Sequence, residues 1–239
     1  MIKVENIETF GWEAAIRGMR NPMNSWDKSD SYYDCKSEDI NSVKCSECFC
    51  KYDLSCFNKG DFNIGSNDLD LIKRLCKAGT EHRKFLRMIH IQMDVTAPLY
   101  WWKEYDTYKV GTVADSCSTM HKITAKEFKL DDFSCEHLFD GVNNFDETTI
   151  YTENPKTCLE YTICVLNYYR KKYLESKDKK YWWQLIQLLP SSYNQRRTVD
   201  FNYEVAMNVI KQRTNHKLDE WNEFVETLEN LPYMKEFNL

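Results

Sequence analysis

The chain has 239 residues, of which 42% are hydrophobic and 14% aromatic, and its formal net charge is −5. This composition is typical of a globular protein with a substantial core, and it excludes an intrinsically disordered chain. The low contents of glycine (7) and proline (5) favour helices over a sandwich or barrel of many strands.

Charge and hydropathy indicate neither nucleic acid nor membrane as a partner. The basic stretch 170–180, RKKYLESKDKK, contains acidic residues and is typical of a solvated helix end. No apolar stretch approaches the roughly 20 residues that span a bilayer, and the N-terminal segment lacks the apolar region of a secretory signal. We therefore expect a cytoplasmic protein whose ten cysteines are mainly free thiols.

The first predicted elements are a strand at 2–7 and an amphipathic helix at 8–19, with Phe10, Ala14 and residues 16–19 near the apolar side of the helix. From Asn21 to Ser66 the periodicity disappears, and five of the ten cysteines fall in this stretch. A structureless loop of this length is unusual in a compact domain. The stretch 21–66 is therefore predicted to be a Cys-rich insertion with its own organisation.

The middle of the chain predicts two helices on either side of a strand. Asn67 is a candidate N-cap, with Asp68 in the first turn of a helix that ends before Gly79. Apolar and polar residues alternate over 87–97, which predicts a strand. Pro98 is then expected to begin a helix that extends to 109.

The C-terminal half is predicted to be helical. Thr124 and Glu127 fit the capping box of a short helix. Longer helices are predicted at 154–177, 179–189, 198–214 and 217–231. Because strands are sparse and helices cluster late in the chain, the pattern predicts one α+β domain over 1–239.

A stretch near the C-terminus, LPSSYNQRRTVDFNYEVAMNVIKQR, carries a Leu-Pro pair followed by Arg196, Asn202 and Arg213. In this pattern the chain resembles the flavin-dependent thymidylate synthases (ThyX), whose Arg and Asn residues at these offsets help to hold the nucleotide and the flavin. A guanidinium offers paired, planar donors that suit a phosphate or a pyrimidine carbonyl. The alternative is that both arginines are ordinary surface residues.

Two further features are similar to the same family. A Glu-His pair ending at His82 is followed by a strand and by an Ala-Pro pair ending at Pro98, although the spacing is longer here. His82 would correspond to a flavin-contacting histidine of the family, and a structural role is the alternative. The histidine that the family places after its second Arg falls on Lys217, with His216 beside it.

The Arg-His-Arg signature of the family is absent. The corresponding offset from Pro98 holds Thr107-Tyr108-Lys109, and neither Arg nor His occurs between Leu99 and Met120. A lysine cannot reproduce the bidentate fork of an arginine, so the chain performs different chemistry or none. The segment after Pro98 is otherwise rich in hydroxyls and small residues, which suits a loop against a ligand, and an ordinary helix end and turn is the alternative. The candidates to stand in for the signature against the nucleotide are Lys109, Ser116 and Ser118.

The resemblance implies a helix-rich ThyX-like domain with a small mixed sheet, assembled as a homotetramer with ligand sites between subunits. Arg196 and Arg213 would hold a pyrimidine nucleotide, and His82, Asn202 and His216 would hold FAD. The implied reaction moves a one-carbon unit from methylenetetrahydrofolate to a dUMP-type nucleotide, with reduction that depends on NADPH. The alternative is a non-catalytic nucleotide-binding or assembly protein that keeps the scaffold. Aromatic-rich helices such as YWWQLIQLL would supply the subunit interface or belong to the core.

The cysteines of the insertion form a second candidate site, a candidate zinc centre comprising Cys35, Cys45, Cys48, Cys50 and Cys56. They exceed the four thiolates of a structural zinc site, and a bound metal would supply folding energy to a segment without a core. A second CxxC pair is missing, so free thiols and disulfides remain open. Hydrolase and kinase signatures are absent from the sequence. Nothing in the spacing favours a nucleophile pair of Cys117 and His121.

Overall fold

The computed structural model describes residues 2–35, 59–140 and 154–237. The strands in these ranges are β1 (Lys3–Phe10), β2 (Tyr32–Cys35), β3 (Lys59–Asn63), β4 (His90–Pro98), β5 (Thr112–Ser116) and β6 (Asn194–Asn202). The α-helices are α1 (Trp12–Arg20), α2 (Ser66–Ala78), α3 (Leu99–Tyr105), α4 (Pro155–Ser176), α5 (Lys179–Leu188), α6 (Tyr203–Arg213), α7 (Asp219–Glu229) and α8 (Met234–Phe237). None of these helices is long and apolar enough to cross a membrane.

A four-stranded sheet in the order β1-β4-β6-β5 forms the centre of the fold. The described strand pairs are all antiparallel, where the resemblance had implied a mixed sheet. β4 and β6 pair along their whole length, from His90 opposite Asn202 to Pro98 opposite Asn194. The helix-rich α+β class is confirmed.

Two hydrophobic clusters stabilise the described chain. The larger one joins one face of the sheet to α1, α2, α3, α6, α7 and α8, and it contains the fully buried side chains of Trp101, Trp102 and Trp221. The smaller one packs the hairpin of α4 and α5 against the segment 123–133 through Leu166 and Leu185. The opposite face of the sheet carries polar side chains, because the strands alternate between buried apolar and outward polar residues.

The predicted helix at 198–214 is wrong over residues 198–202, which form the end of β6. Val199 and Phe201 are at most 1% exposed and alternate with Thr198 and Asp200, the period of a strand. Asn202 then ends the strand and caps α6, because its side-chain oxygen accepts from the Val205 amide at 3.1 Å.

The first helix begins later than predicted. Gly11 has a φ of 89°, and a Cβ atom there would lie 2.0 Å from the Met88 carbonyl oxygen, so the chain turns at this glycine before α1. Phe10 therefore belongs to β1 and stacks on His90, with ring centroids 5.4 Å apart. Ala14 is exposed. The buried face of α1 contains the predicted Ile16 and Met19, together with Trp12, Ala15 and Arg20.

The N-terminal cap of α2 comes from a distant residue rather than from Asn67. The helix begins at Ser66, and the Asp30 carboxylate accepts from the backbone amides of Asn67 and Asp68 at 2.9 and 3.1 Å. Asp68 itself is fully buried and accepts from Arg20 Nε at 2.6 Å. A contact across this sequence separation could not be read from the local pattern.

Three other predicted elements differ from the structure. The helix predicted at 98–109 ends at Tyr105. The segment 124–127 forms turns instead of a capped helix, and the Thr124 carbonyl accepts from Arg170 Nε at 3.0 Å. β5 is not predicted from the sequence, because it is a short edge strand whose residues are mostly exposed and therefore lack a clear alternation.

Both ends of the predicted insertion at 21–66 have regular structure. β2 and β3 pair with Tyr32 opposite Asn63. Residues 36–58, with Cys45, Cys48, Cys50 and Cys56, lie outside the described residues, as does the side chain of Cys35. The insertion and the zinc site therefore stay predictions. In the described ranges, no group of three His, Cys, Asp or Glu side chains is placed to hold a metal ion.

Candidate functional site

A polar cluster lies at the C-terminal end of α6, where Arg213 meets α3 and α7. The Arg213 guanidinium donates through Nη1 to Glu104 Oε2 at 2.6 Å and through Nε to the Tyr108 hydroxyl at 2.9 Å. It also lies over the Trp221 ring, with Cζ 4.4 Å from the ring centroid. Only 17% of the Arg213 side chain is exposed, so these contacts fix its plane. We call this set, together with His216, the Arg213 cluster.

Glu104 is the shared acceptor of the Arg213 cluster. Its Oε2 atom also accepts from Trp221 Nε1 at 3.1 Å and lies 3.5 Å from His216 Nε2. Glu104 Oε1 and Arg213 Nη2 make no hydrogen bond to any residue in the described part of the chain. One acceptor and one donor thus remain available on two groups that are already bonded to each other.

The loop 106–111 runs along α6 and carries the residues that replace the missing signature. Tyr108 reaches the helix C-terminus, where its hydroxyl donates to Gln212 Oε1 at 3.1 Å. Gly111, with a φ of 76°, approaches the helix N-terminus, and a Cβ atom there would lie 2.9 Å from Asn202 Nδ2. Lys109 is exposed between these two contacts. The structure therefore gathers four of the predicted site residues around α6: Lys109, Asn202, Arg213 and His216.

Arg196 lies elsewhere, on the open polar face of the sheet. Its Nη2 atom donates to Asp94 Oδ2 at 2.7 Å, and the side chain is 47% exposed. Asp94 also accepts from Thr198 Oγ1 at 2.5 Å and from Asn6 Nδ2 at 2.7 Å. These three donors, Thr198 first, hold the pKa of Asp94 well below its usual range. Because α3 and α7 cover the other face of the sheet, Arg196 and Arg213 do not meet within one chain.

Arg197 is a residue that the sequence analysis missed. Its guanidinium lies 4.2 Å from the centroid of the Trp102 ring, and Nη1 donates to Asp106 Oδ1 at 2.7 Å. It is 14% exposed, compared with 47% for Arg196. The alternation of residues along β6 could have identified Arg197, because adjacent residues of a strand point to opposite faces of the sheet.

Ser116, Ser118 and His82 lie outside the Arg213 cluster. Ser116 is exposed at the end of β5, opposite Arg197. The Ser118 hydroxyl accepts from the His121 amide at 2.9 Å and so stabilises a turn. His82 is exposed and lines a separate cleft of about 420 Å³ whose other walls include Met88.

The residues that the resemblance assigns to FAD do not form one flavin site within a single chain. His82 is in the cleft beside α1, His216 is in the Arg213 cluster, and Asn202 is at the opposite end of α6. In addition, the Asn202 side-chain oxygen is already used as the helix cap. A binding site made from all three side chains would require another arrangement or a second copy of the chain.

Comparison with known proteins shows the fold. No protein-family model and no curated protein matches the sequence. The solved structure of thymidylate synthase X (ThyX) from Helicobacter pylori with FAD and dUMP matches with a TM-score of 0.62 and 14% identity, over 100% of this chain and 97% of that chain. A UMP/dUMP methylase, PolB from Streptomyces cacaoi bound with 5-Br dUMP, matches with a TM-score of 0.57 and 13% identity, over 99% and 94% of the two chains. The chain has the ThyX-like fold that the C-terminal pattern predicts.

Proposed function

We propose that this chain is a divergent thymidylate synthase-like protein that binds a dUMP-type pyrimidine nucleotide at the Arg213 cluster. The observation that carries the proposal is the pair of unused atoms on bonded groups, Nη2 of Arg213 and Oε1 of Glu104. Uracil presents a carbonyl oxygen next to an N–H group on its ring edge. A fixed donor beside a fixed acceptor complements that edge, and the planar geometry of the guanidinium favours such a pairing.

The surroundings of the pair suit a nucleotide. The rings of Trp221 and Tyr108 border the guanidinium, with 4.4 and 5.6 Å from Arg213 Cζ to the two centroids, so an aromatic base has flat neighbours. Lys109, exposed on the loop 106–111, is the candidate to contact the nucleotide phosphate. Ser116, Ser118 and Arg196 stay candidates for contacts with the same ligand in an assembled oligomer.

FAD is the proposed cofactor, and one-carbon transfer with reduction of the pyrimidine is the proposed reaction class. The ThyX neighbour solved with FAD and dUMP supports both. His82, Asn202 and His216 do not fit FAD within one chain, so this part of the proposal requires a homo-oligomer, a tetramer by the resemblance, that brings copies of these residues together. Folate and NADPH are the proposed further partners.

A second candidate function is non-catalytic binding of the nucleotide. It is favoured by the absence of Arg and His between Leu99 and Met120 and by Tyr108 in the loop 106–111, because a phenol cannot stabilise developing negative charge as a guanidinium does. This candidate predicts nucleotide affinity without turnover.

The test combines calorimetric titration with dUMP and a visible spectrum of the purified protein with FAD. Arg213→Ala is expected to weaken dUMP binding by roughly tenfold or more, since it removes a charged donor. Arg74→Ala is the matched control, because Arg74 pairs with Asp70 on an exposed helix face. A flavin band retained through gel filtration would support the enzyme, and dUMP binding without flavin would favour the second candidate. Unchanged affinity in Arg213→Ala would overturn the assigned site.

A further inference from the structure

A second cleft, outside the Arg213 cluster, lies between the end of α4, the start of α5 and the turn that contains His121. Its volume is about 330 Å³, within the range of small-molecule sites. The described residues that line it are Met120, His121, Thr124, Tyr173, Lys177, Lys179 and Trp182. None of these residues belongs to the Arg213 cluster.

Two aromatic side chains form walls of this α4–α5 cleft. The Trp182 indole is held in place because its Nε1 donates to the Met120 carbonyl at 3.1 Å. Tyr173, one helical turn before the end of α4, is half-buried, and the Lys177 ammonium lies 5.7 Å from its ring centroid. Flat rings in a cleft favour stacking of a planar ligand, and a fixed ring loses little freedom when it stacks.

The charge of the α4–α5 cleft is basic. Lys177 and Lys179 form no ion pair with any carboxylate that the structure describes, and no described Asp or Glu lines the cleft. The next lysine behaves differently, since Lys180 lies 3.0 Å from Asp178 Oδ2. Unpaired cations beside one cleft attract an anion, and an ammonium group is a good phosphate ligand.

The backbone conformation of Lys177 is a separate indication that this lysine serves the cleft. Lys177 follows the last residue of α4 with a φ of 56°, and its amide donates to the Tyr173 carbonyl at 2.7 Å. Glycine is the usual residue at a left-handed helix end, because a side chain is disfavoured there. A lysine in this conformation places a cation at the cleft at the expense of local stability.

We propose that the α4–α5 cleft binds a small ligand in which a flat aromatic ring carries a phosphate, the chemistry of a nucleoside monophosphate. The ring lies against Trp182 and Tyr173, and Lys177 and Lys179 bind the phosphate. His121 and Thr124 supply further hydrogen-bonding groups at the same cleft. This site is independent of the pyrimidine site proposed at Arg213.

The experiment is calorimetric titration of the full chain with AMP, UMP and FMN, and with inorganic phosphate and adenosine as the two halves of the ligand. At least one phosphorylated ring is expected to bind roughly tenfold or more tightly than either half. Lys177→Gly and Lys179→Ala are each expected to weaken that binding about tenfold. Lys180→Ala is the matched control and is expected to bind within about twofold of the wild type.

Lys177→Gly also separates binding from folding. Glycine suits the left-handed helix end, so this variant is expected to unfold at the same or a higher temperature while it loses affinity. The proposal is overturned if no compound of the panel binds below about 1 mM, if phosphate alone binds as well as the nucleotides, or if both lysine variants bind like the wild type. Loss of binding in Arg213→Ala but not in the lysine variants would also overturn it, and would assign the ligand to the Arg213 cluster.

Discussion

Arg213 and Glu104 are bonded to each other through one nitrogen and one oxygen, 2.6 Å apart, and each keeps a second polar atom without a partner among the described residues. A bidentate pair would have used both atoms of each group. The single bond instead leaves a donor and an acceptor for a ligand. The Arg213 cluster thus differs from an ion pair that serves only stability, in which both polar atoms of each group would be used.

Glu104→Gln tests this relationship. The substitution keeps the size of the side chain but replaces a carboxylate, which only accepts, by an amide that also donates, so an N–H group on the ligand loses its acceptor. We expect dUMP affinity to fall by roughly tenfold in calorimetric titrations. Glu223→Gln, on the exposed side of α7, is the control and is expected to leave the affinity unchanged. Equal dUMP affinity in both variants would contradict the role of Glu104.

The buried pair of Arg20 and Asp68 is expected to dominate the stability of the N-terminal half. Asp68 accepts from Arg20 Nε at 2.6 Å, from the hydroxyls of Ser29 and Ser31, and from two backbone amides. Asp68→Ala leaves a buried guanidinium unpaired, so we expect a loss of about 3–5 kcal/mol in urea unfolding. Asp70→Ala, which breaks the exposed pair with Arg74, is the control and is expected to cost less than about 1 kcal/mol. Similar losses in the two variants would show that burial does not set the energy of the Asp68 pair.

Several elements of the fold could be predicted because their signals are local. The alternation through Ile91, Met93 and Val95 predicts β4, and Asn154 with Pro155 predicts the start of α4. β6 could not be separated from α6 in the same way, because Asn202 ends the strand and caps the helix without an intervening loop. The alternation of the strand therefore passes directly into the periodicity of the helix, and the sequence shows no boundary between them.

The candidate site was predictable only in part. Arg213 and His216 could be found from their offsets, but Glu104 and Trp221 could not, because these partners come from α3 and α7 and meet Arg213 only in the folded chain. For the same reason, Arg196 was grouped with Arg213 although the sheet separates them. A linear pattern identifies residues, but it does not show on which face of a sheet they lie.

Asp68 also predicts a pH dependence of stability. Burial raises its pKa, but hydrogen bonds from Ser31, Ser29 and Arg20 and from the Asp30 amide outweigh burial, and the net pKa is lowered from 3.8. A carboxyl with a lowered pKa in the folded state contributes stability that is complete above the pKa of the unfolded chain. That contribution is lost as the pH falls through the folded-state pKa.

We therefore expect the free energy of unfolding to decrease as the pH is lowered below about 4, with a smaller decrease in Asp68→Asn than in the wild type. The measurement is urea unfolding over a series of acidic pH values. Asp70→Asn is the control, because it makes the same substitution on the same helix at an exposed pair with Arg74 instead of a buried one. Parallel profiles for the wild type and Asp68→Asn would assign the acid sensitivity to other carboxylates.

Asn202 is expected to have a cap role that can be separated from any role in ligand binding. Its side-chain oxygen accepts from the Val205 amide, so Asn202→Ala is expected to lower the free energy of unfolding by about 0.5–2 kcal/mol. Asn202→Ser keeps a capping oxygen and is expected to restore most of that stability, but it removes the amide nitrogen that faces Gly111. Urea unfolding measures the first effect, and retention of added FAD or dUMP through gel filtration measures the second. If Asn202→Ser is as stable as the wild type and retains the same ligands, Asn202 is a helix cap only, because the one group that the variant lacks is then not needed for binding.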